Sequence, residues 1–300
     1  MVTRVLIVLF LALLPGCTSQ TGESAYPVYT DSPALRRDRV VYIFAIHPLH
    51  NPKRLFEVYQ PLVELINEQS SDFALKLEAS RDYDAFEKKL YSRKFHFALP
   101  NPHQTIEAEH FGYRIVAKMG DDDRFRGSIV VRRDSAVTAV SDLAGGSLSF
   151  PAPTAVAATM LPKFFLHSKG LDLRQTDLRY VGSQESAIMN VFLGKTMAAG
   201  TWPPPWELFV QRRPEIAAEL AVRWRTSPLV NNGVVVRDDV PEAHARAVIG
   251  VLLDLHRHER GRVILRKMDL SRFEVADSAT YEPVREFLIR YRRIFGAEGR

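Results

Sequence analysis

Residues 40–46, with the sequence VVYIFAI, are the stretch that decides the fold. A short apolar run rich in β-branched and aromatic residues, ending at the pair His47-Pro48, is typical of a buried strand. Apolar residues then recur at helical spacing from Leu55 to Ile66. This pattern predicts an amphipathic helix that ends near residue 69.

The same alternation of strand and helix continues after this helix. Residues 73–79, FALKLEA, alternate like a half-buried strand, residues 83–91 have a helical pattern, and residues 95–99 are again apolar. The order β-α-β-α-β predicts a parallel sheet covered by helices.

A second α/β block occupies the middle of the chain, and the chain then returns to the first. Further strands are predicted at residues 129–131, 147–150, 178–181, 197–201 and 234–236, and further helices at 140–146, 185–193, 243–258, 261–267 and 281–295. Two blocks joined by two crossings predict an α/β protein with two lobes, each a mixed sheet covered by helices. Ligands collect at the carboxyl ends of such strands, which would face a cleft between the lobes.

The residues before the first strand resemble an export signal. Arg4 supplies a positive charge, and residues 5–14 form an apolar run that is shorter than the roughly 20 residues needed to cross a bilayer. The sequence LPGC at residues 14–17 resembles a lipobox, whose cysteine becomes lipidated. We expect residues 1–16 to be a lipoprotein signal peptide and residues 17–39 a flexible tether.

Cys17 is the only cysteine of the 300 residues. It would anchor the protein to a membrane surface without spanning it, and the protein would be extracytoplasmic. The alternative is an ordinary secretory signal with an incidental cysteine. With no second cysteine, disulfides, thiolate catalysis and cysteine-based zinc sites are excluded from the mature domain.

The composition favours a folded domain with an anionic partner. The chain is 46% hydrophobic and 25% charged, with a net charge of +5. Basic residues are spread along the chain without a nucleic-acid motif, so nucleic acid is not an expected partner. The sequence contains no G-x-S-x-G, P-loop or H-E-x-x-H motif, and its nine histidines show no ligand spacing. We therefore expect no enzyme activity, catalytic residue, cofactor or metal.

Five segments, in order along the chain, resemble motifs of the PhnD-like family of phosphate-, phosphite- and phosphonate-binding components of ABC transporters. They are YQPLVELI at 59–66, DYDAF at 82–86, FAL at 97–99 with PHQTIEA at 102–108, IVVRRDS at 129–135 with SDLAG at 141–145, and VGSQESA at 181–187 with VFLGK at 191–195. The resemblance covers residues 40–290.

This resemblance implies a type II periplasmic-binding-protein fold. Lobe 1 would comprise residues 40–135 and 230–300, and lobe 2 residues 136–229. The lobes would close on a small oxyanion, which the protein would deliver to an ABC permease. The alternative is a sensing or orphan lipoprotein that acts on a membrane signalling partner and has a different ligand.

The expected binding site departs from the family pattern. The family has a Ser-Thr-Ser-Gly run at a helix N-terminus, where backbone N–H groups bind anions, whereas residues 153–157 read PTAVA and keep one hydroxyl. The family's histidine after the "tGs" motif is replaced by Gln184, and a tyrosine is replaced by Thr105. The residues expected to line the cleft are Tyr83, Asn101, His103, Thr105, Thr154, Ala155, Gln184 and Thr201.

Each of these residues also has a structural interpretation, such as a helix cap for Thr154 or a half-buried helix-start residue for Tyr83. The segment WPPPW at 202–206 has two interpretations as well. Its tryptophans close one side of the cleft, or they pack on a lobe beside a connection stiffened by prolines.

Overall fold

The computed structural model describes residues 39–296, which form eleven strands and ten α-helices. The predicted signal peptide, Cys17 and nearly all of the tether lie outside the described residues. In chain order the strands are β1 (Val40–Ile46), β2 (Phe73–Ala79), β3 (Phe97–Leu99), β4 (Tyr113–Met119), β5 (Ser128–Arg132), β6 (Ser147–Phe150), β7 (Asp177–Tyr180), β8 (Ala198–Thr201), β9 (Leu220–Arg225), β10 (Gly233–Arg237) and β11 (Phe273–Val275).

The helices lie between these strands, as an α/β order requires. They are α1 (Pro52–Gln69), α2 (Tyr83–Tyr91), α3 (Pro102–Glu109), α4 (Leu161–Ser168), α5 (Gln184–Phe192), α6 (Pro203–Arg212), α7 (Pro214–Ala217), α8 (Glu242–Asp254), α9 (Glu259–Met268) and α10 (Glu282–Phe295). Within residues 39–296, none of these helices has both the length and the apolar character needed to cross a membrane.

The strands form two mixed sheets, which define two lobes. Lobe 1 contains the sheet β11-β4-β10-β3-β1-β2, and lobe 2 contains the sheet β7-β6-β8-β5-β9. In lobe 1, β1 runs parallel to both β2 and β3, whereas β10 is antiparallel to β3 and β4. In lobe 2, β6 is parallel to β7 and β8, and β5 is antiparallel to β8 and β9. The predicted α/β class with two mixed sheets is confirmed.

The first strand is buried where its sequence is most apolar. Phe44, Ala45 and Ile46 are fully buried, and β1 pairs with β2 along its whole length, from Val40 opposite Phe73 to the last residue of each strand. β1 is the second strand from one edge of its sheet. Its carboxyl end therefore lies beside those of β2 and β3, so the loops after all three reach the same side of the lobe.

The two sheets divide the chain differently from the predicted lobes. The prediction assigned residues 40–135 to lobe 1, but β5 pairs with β8 and β9 in the second sheet. The first crossing between the lobes therefore precedes Ser128, and the second follows Arg225. The resemblance gave only an approximate boundary, because a strand's own sequence does not specify its partner strands.

Three strands were not predicted from the sequence. β4 carries charges at Arg114 and Lys118 within its apolar pattern, and the Lys118 ammonium is nevertheless buried because it pairs with Asp122 at 2.9 Å and with Glu274 at 2.8 Å. β9 and β11 lie at sheet edges, where one side is exposed and the alternation is weak.

Candidate functional site

A small cavity lies where the two lobes meet. Its volume is about 10 Å³, which accommodates a single water molecule. Lobe 1 contributes the residue after β1 and the loop after β3, and lobe 2 contributes the segment before α4 and the start of α5. The lining residues are His47, Tyr83, Asn101, Phe125, Ala155, Val156, Ala157, Ala158, Gln184, Trp202 and Asn232.

The wall from lobe 2 is the start of a helix. Val156–Met160 form a π-helical turn that continues directly into α4. The N–H of Ala155 donates to the carbonyl oxygen of Ala152 at 3.3 Å, whereas the next three amides have no acceptor among the described residues, as is usual for a first helical turn. Val156, Ala157 and Ala158, which carry these amides, line the cavity together with the predicted Ala155.

Gly200 in β8 allows this turn to lie directly on the sheet. A Cβ at position 200 would lie 2.0 Å from the carbonyl oxygen of Ala158 and 2.6 Å from the Phe150 ring. No side chain fits in that space. The glycine thus fixes how far the first-turn amides project toward lobe 1.

Two of the expected cleft residues meet across the lobes. The Tyr83 hydroxyl at the start of α2 is hydrogen-bonded to the Gln184 side chain at the start of α5, and burial raises the pKa of Tyr83 well above its usual value. The Thr201 hydroxyl donates to Gln184 Oε1 at 3.2 Å. Thr201 is fully buried and orients the glutamine from behind, since it does not line the cavity itself.

A second connection between the lobes involves Thr154. Asn101 Nδ2 donates to the Thr154 carbonyl oxygen at 3.0 Å, and the Thr154 hydroxyl donates to Glu87 Oε1 at 2.6 Å. Gln104 Nε2 donates to the same Glu87 oxygen at 3.0 Å. Glu87 lies one turn along α2 from Tyr83. The Thr154 hydroxyl of lobe 2 therefore contacts a carboxylate of lobe 1.

His47 follows β1 and lines the cavity as a neutral side chain. Its Nδ1 hydrogen-bonds the Leu99 carbonyl oxygen at 2.9 Å, which requires a proton on Nδ1 and leaves Nε2 as an acceptor. Burial lowers the pKa of His47 to about 4, although the carbonyl partly opposes this effect. The histidine thus carries no charge at neutral pH.

Asn232 offers a polar group that its surroundings do not use. The side chain is 1% exposed, its Oδ1 has no hydrogen-bond partner among residues 39–296, and its Nδ2 contacts only Met119 Sδ at 3.5 Å. Turning the amide by half a revolution would lose only this weak contact and would leave the Nδ2 donors toward the cavity.

Two predicted residues lie away from the cavity. Thr105 is fully buried inside lobe 1, where its hydroxyl donates to the Asn101 carbonyl oxygen at 2.9 Å and accepts from the Gly233 N–H at 3.3 Å. His103 lies on α3, 3.9 Å from Glu107. These positions argue against ligand contacts for both side chains. Thr154 and Thr201 are adjacent to the cavity but do not line it.

The two tryptophans of the proline-rich segment 202–206 lie in different places, one at the cavity and one packed on lobe 2. Trp202 lines the cavity and meets Phe125 edge-on, with 5.2 Å between ring centroids. Pro203 starts α6, whose first turn tolerates prolines because its N–H groups need no intrahelical acceptor. Trp206 stacks on Phe209 within lobe 2.

A larger, basic cavity of about 150 Å³ lies next to the small one, and Gln184 lines both. Four arginines surround it: Arg54, Arg81, Arg212 and Arg213. Glu185 is the only acidic residue in its lining, and it pairs with Arg213 at 2.9 Å. Burial, followed by the charge of Arg54, lowers the pKa of the nearby His50 to about 3. We call this cavity the basic rim.

Sequence reasoning missed several residues of the small cavity. His47 directly follows the first buried strand, so the rule that ligands meet strand ends would have indicated it. Asn232 lies in the loop before β10, to which the sequence analysis assigned no binding role. Glu87 does not line the cavity but accepts the Thr154 hydrogen bond beside it. It gave no signal in the sequence, because a glutamate on a helix is usually solvated. Among the described residues there is no cluster of histidine, cysteine and acidic side chains suited to a metal ion.

Comparisons with solved structures give the same two-lobed architecture. PhnD1 from Prochlorococcus marinus, in complex with methylphosphonate, has a TM-score of 0.77 and 18% identity, over 83% of this chain and 97% of that one. A binding protein component of an ABC phosphonate transporter from Pseudomonas aeruginosa has a TM-score of 0.76 and 16% identity. The match covers 85% of this chain and 88% of that one.

A third solved structure with this architecture is a sulphonate-binding protein. The periplasmic aliphatic sulphonate-binding protein SsuA from Escherichia coli has a TM-score of 0.59 and 12% identity, over 87% of this chain and 94% of that one. At these identities the likeness establishes the fold, which is the predicted type II periplasmic-binding-protein fold. Comparison with curated proteins gives no match in sequence.

The family assignment rests on the sequence as a whole. A family model described as the periplasmic substrate-binding protein of a phosphonate ABC transporter matches residues 44–281, which include nearly all of both sheets and the residues that line the small cavity and the basic rim. Members of this family are binding proteins of transporters rather than enzymes, and they work in the periplasm. The chain belongs to the family of periplasmic phosphonate-binding proteins of ABC transporters.

Proposed function

We propose that this protein binds a small phosphorus oxyanion between its lobes and delivers it to an ABC permease. The observation that carries this proposal is that the first-turn residues Val156, Ala157 and Ala158 line a cavity whose other walls carry neutral polar side chains. Backbone N–H groups at a helix start bind oxyanions without a charged side chain. Tyr83, Asn101, Gln184 and Asn232 would supply further hydrogen bonds.

Binding requires the lobes to separate first. The cavity has room for about one water, whereas a phosphonate has at least five non-hydrogen atoms. The contacts that now join the lobes are the Tyr83–Gln184 and Thr154–Glu87 hydrogen bonds and the Asn101 bond to the Thr154 carbonyl oxygen. An incoming oxyanion would replace these contacts with its own. Its binding free energy is therefore the free energy of the new interactions less that of the lost ones.

Glu87 indicates which oxyanions fit. A carboxylate repels a fully deprotonated anion, but it accepts a hydrogen bond from an oxyanion that keeps a P–OH group. Phosphite, phosphate and methylphosphonate monoanions carry such a proton near neutral pH, whereas sulfate and sulphonates do not. The site therefore favours phosphorus oxyanions.

We also propose that the protein is held at a membrane through a lipid on Cys17. The LPGC sequence at residues 14–17 and a single cysteine in the chain support this part of the proposal. Mass spectrometry of the purified N-terminal peptide would identify a diacylglyceryl group. Replacement of Cys17 by serine should release the protein into the soluble periplasmic fraction, and retention of that variant in the membrane fraction would refute the anchor.

The test of ligand class is thermal unfolding of the purified protein with methylphosphonate, phosphite, phosphate, sulfate and methanesulphonate. A ligand at 100 times its dissociation constant adds about 2.7 kcal/mol and should raise the midpoint by several degrees. The Val156→Pro variant tests the site, since proline keeps a first-turn helical conformation but removes one N–H. Val156→Ala is its control, because it keeps the amide.

We expect shifts with the phosphorus oxyanions, a smaller shift in Val156→Pro and an unchanged shift in Val156→Ala. A shift with the sulfur oxyanions alone would refute the proposed ligand class. No shift with any of the five would mean that the fold is kept while the ligand has changed, and the sensing alternative would then gain support.

A further inference from the structure

A third cavity, remote from the cleft, lies between lobe 2 and the C-terminal helix. Its volume is about 760 Å³, which is within the range of small-molecule sites. Lobe 2 contributes α4, the 170–174 loop and β7, and α10 contributes its last turn. Its lining includes Lys163, Leu171, Asp172, Leu178, Tyr180 and Phe295. We call it the Lys163 groove.

Lys163 is the unusual residue of this groove. It is 4% exposed, and no carboxylate lies within ion-pair distance of its ammonium among residues 39–296. Its Nζ lies 3.4 Å from the Tyr180 hydroxyl, 4.9 Å from the Phe295 ring centroid and 5.6 Å from that of Tyr291. Aromatic faces stabilise a cation, but a buried ammonium without an anion still carries a desolvation cost. That cost lowers the pKa of Lys163 to about 8.

The other buried lysine of the described chain shows how this protein normally satisfies such a charge. Lys118 is as deeply buried, and it pairs with both Asp122 and Glu274. Asp172, in the wall of the Lys163 groove, is already held by Arg174 at 2.9 Å, and its pKa is lowered to about 2 by hydrogen bonds from Arg174. Within residues 39–296, Lys163 thus has no anionic partner, and it lies beside an open cavity.

We propose that the Lys163 groove is a second binding site, for an organic monocarboxylate with an aromatic or branched aliphatic body. The carboxylate would pair with Lys163 and accept a hydrogen bond from Tyr180. The body would lie on Leu171, Leu178 and Phe295, for which a bare phosphate or sulfate has no matching surface. The site is independent of the oxyanion cleft, because no residue lines both cavities.

Titration of the purified protein with benzoate, phenylacetate and 3-phenylpropionate by calorimetry tests this site, with benzamide as the uncharged probe. We expect at least one carboxylate to bind and benzamide to bind at least about tenfold more weakly, which corresponds to 1.4 kcal/mol. Lys163→Met should abolish carboxylate binding. Lys169→Met, an exposed lysine just beyond the same helix, is the matched control and should leave it unchanged.

Two readouts separate a lost site from a lost fold. Lys163→Met removes an unpaired buried charge while keeping an apolar chain of similar length, so its unfolding midpoint should be equal to or higher than that of the wild type. Methylphosphonate should shift that midpoint as in the wild type, whether or not carboxylates bind.

The pH dependence gives a third readout. Carboxylate affinity should fall between pH 7 and 9 as Lys163 loses its proton. The other titratable groups around it are His167, Asp172, Arg174, Tyr180 and Tyr291; burial raises the pKa of both tyrosines, so they remain neutral in this range. The proposal is overturned if none of the three carboxylates binds at millimolar concentration, or if they bind equally to Lys163→Met.

Discussion

Thr154 of lobe 2 donates a 2.6 Å hydrogen bond to the Glu87 carboxylate of lobe 1. In the resemblance described above, this hydroxyl is the one kept from the family's Ser-Thr-Ser-Gly run, and it donates to a carboxylate of the protein itself. The same carboxylate oxygen accepts a second bond from Gln104. Glu87 is therefore a contact between the lobes, and the proposed function expects an incoming oxyanion to compete with Thr154 for it.

Replacing Glu87 by glutamine should relax the selectivity between phosphorus and sulfur oxyanions. The amide keeps an acceptor for Thr154 but adds a donor and removes a negative charge. We expect sulfate affinity to rise at least about tenfold, the effect of about 1.4 kcal/mol, with a smaller gain for methylphosphonate. Calorimetric titration of both anions measures the ratio.

Asp84→Asn on the same helix is the control for this change, because Asp84 is exposed and pairs only with Lys88. It removes the same charge from α2 away from the cavity. If both variants raise sulfate affinity equally, the effect is one of general charge, and Glu87 has no specific role in selection.

Gly200→Ala should damage the site through the backbone. The new methyl group would overlap the Ala158 carbonyl oxygen, which lies 2.0 Å from the Cβ position, so the first-turn amides must move away from β8. We expect a loss of stability of about 1–3 kcal/mol, as for overpacking, and weaker oxyanion binding. Urea unfolding and thermal shift with methylphosphonate measure the two effects.

Gly250→Ala provides the comparison for that substitution. Gly250 lies inside α8 with no atom within 4 Å of its Cβ position, so alanine should stabilise the helix by about 0.5–1 kcal/mol. Equal effects of the two substitutions would contradict the proposed steric role of Gly200.

The fold was more predictable than the site, and the reason is the range of the interactions. VVYIFAI at 40–46 and FALKLEA at 73–79 carry their burial pattern in their own residues, and both strands have the predicted bounds. β5 was recognised as a strand but placed in the wrong lobe, because partner strands are chosen by tertiary contacts. β4 was hidden because Lys118 is buried only through its two distant acidic partners.

Within the site, the sequence identified the residues that begin helices. Tyr83, Asn101, Ala155 and Gln184 all line the cavity, and their contact with a ligand stays a prediction. The contact of the Thr154 hydroxyl could not be anticipated, because its partner Glu87 is 67 residues away along the chain and belongs to the other lobe.

The buried His47 should make the protein less stable in mild acid. In the unfolded chain its pKa is near 6.5, whereas burial lowers it to about 4 in the folded protein. Between these values the unfolded chain binds more protons, so the free energy of unfolding falls as the pH drops from 6.5 to 4. The contribution at pH 5 is about 2 kcal/mol. Above pH 6.5 the effect is absent.

His47→Asn should reduce this loss, since the asparagine Nδ2 can still donate to the Leu99 carbonyl oxygen but does not titrate. Urea midpoints at pH 7 and pH 5 give the comparison. His50 contributes in the same direction, because its pKa is also lowered, so some acid sensitivity should persist in the variant. An identical loss in the wild type and the variant would show that His47 titrates normally.

The basic rim should accelerate capture of the oxyanion rather than hold it. Arg81 and Arg212 line the rim but not the small cavity, and their side chains are 82% and 49% exposed. Their charges would therefore attract an anion from solution and be screened by salt. In the double variant Arg81→Gln, Arg212→Gln, we expect the association rate of methylphosphonate to fall roughly threefold to tenfold at low ionic strength, with little change in dissociation rate.

Stopped-flow fluorescence can follow this step, because Trp202 lines the cavity. Arg262→Gln, Arg266→Gln on α9 is the control, as it removes the same net charge from residues that line neither cavity and pair with Glu259. The difference between the two double variants should vanish at about 0.5 M salt, where the screening length is only a few ångströms. A difference that persists at high salt, or that lies in the dissociation rate, would place these arginines in direct contact with the ligand and refute a role in attraction alone.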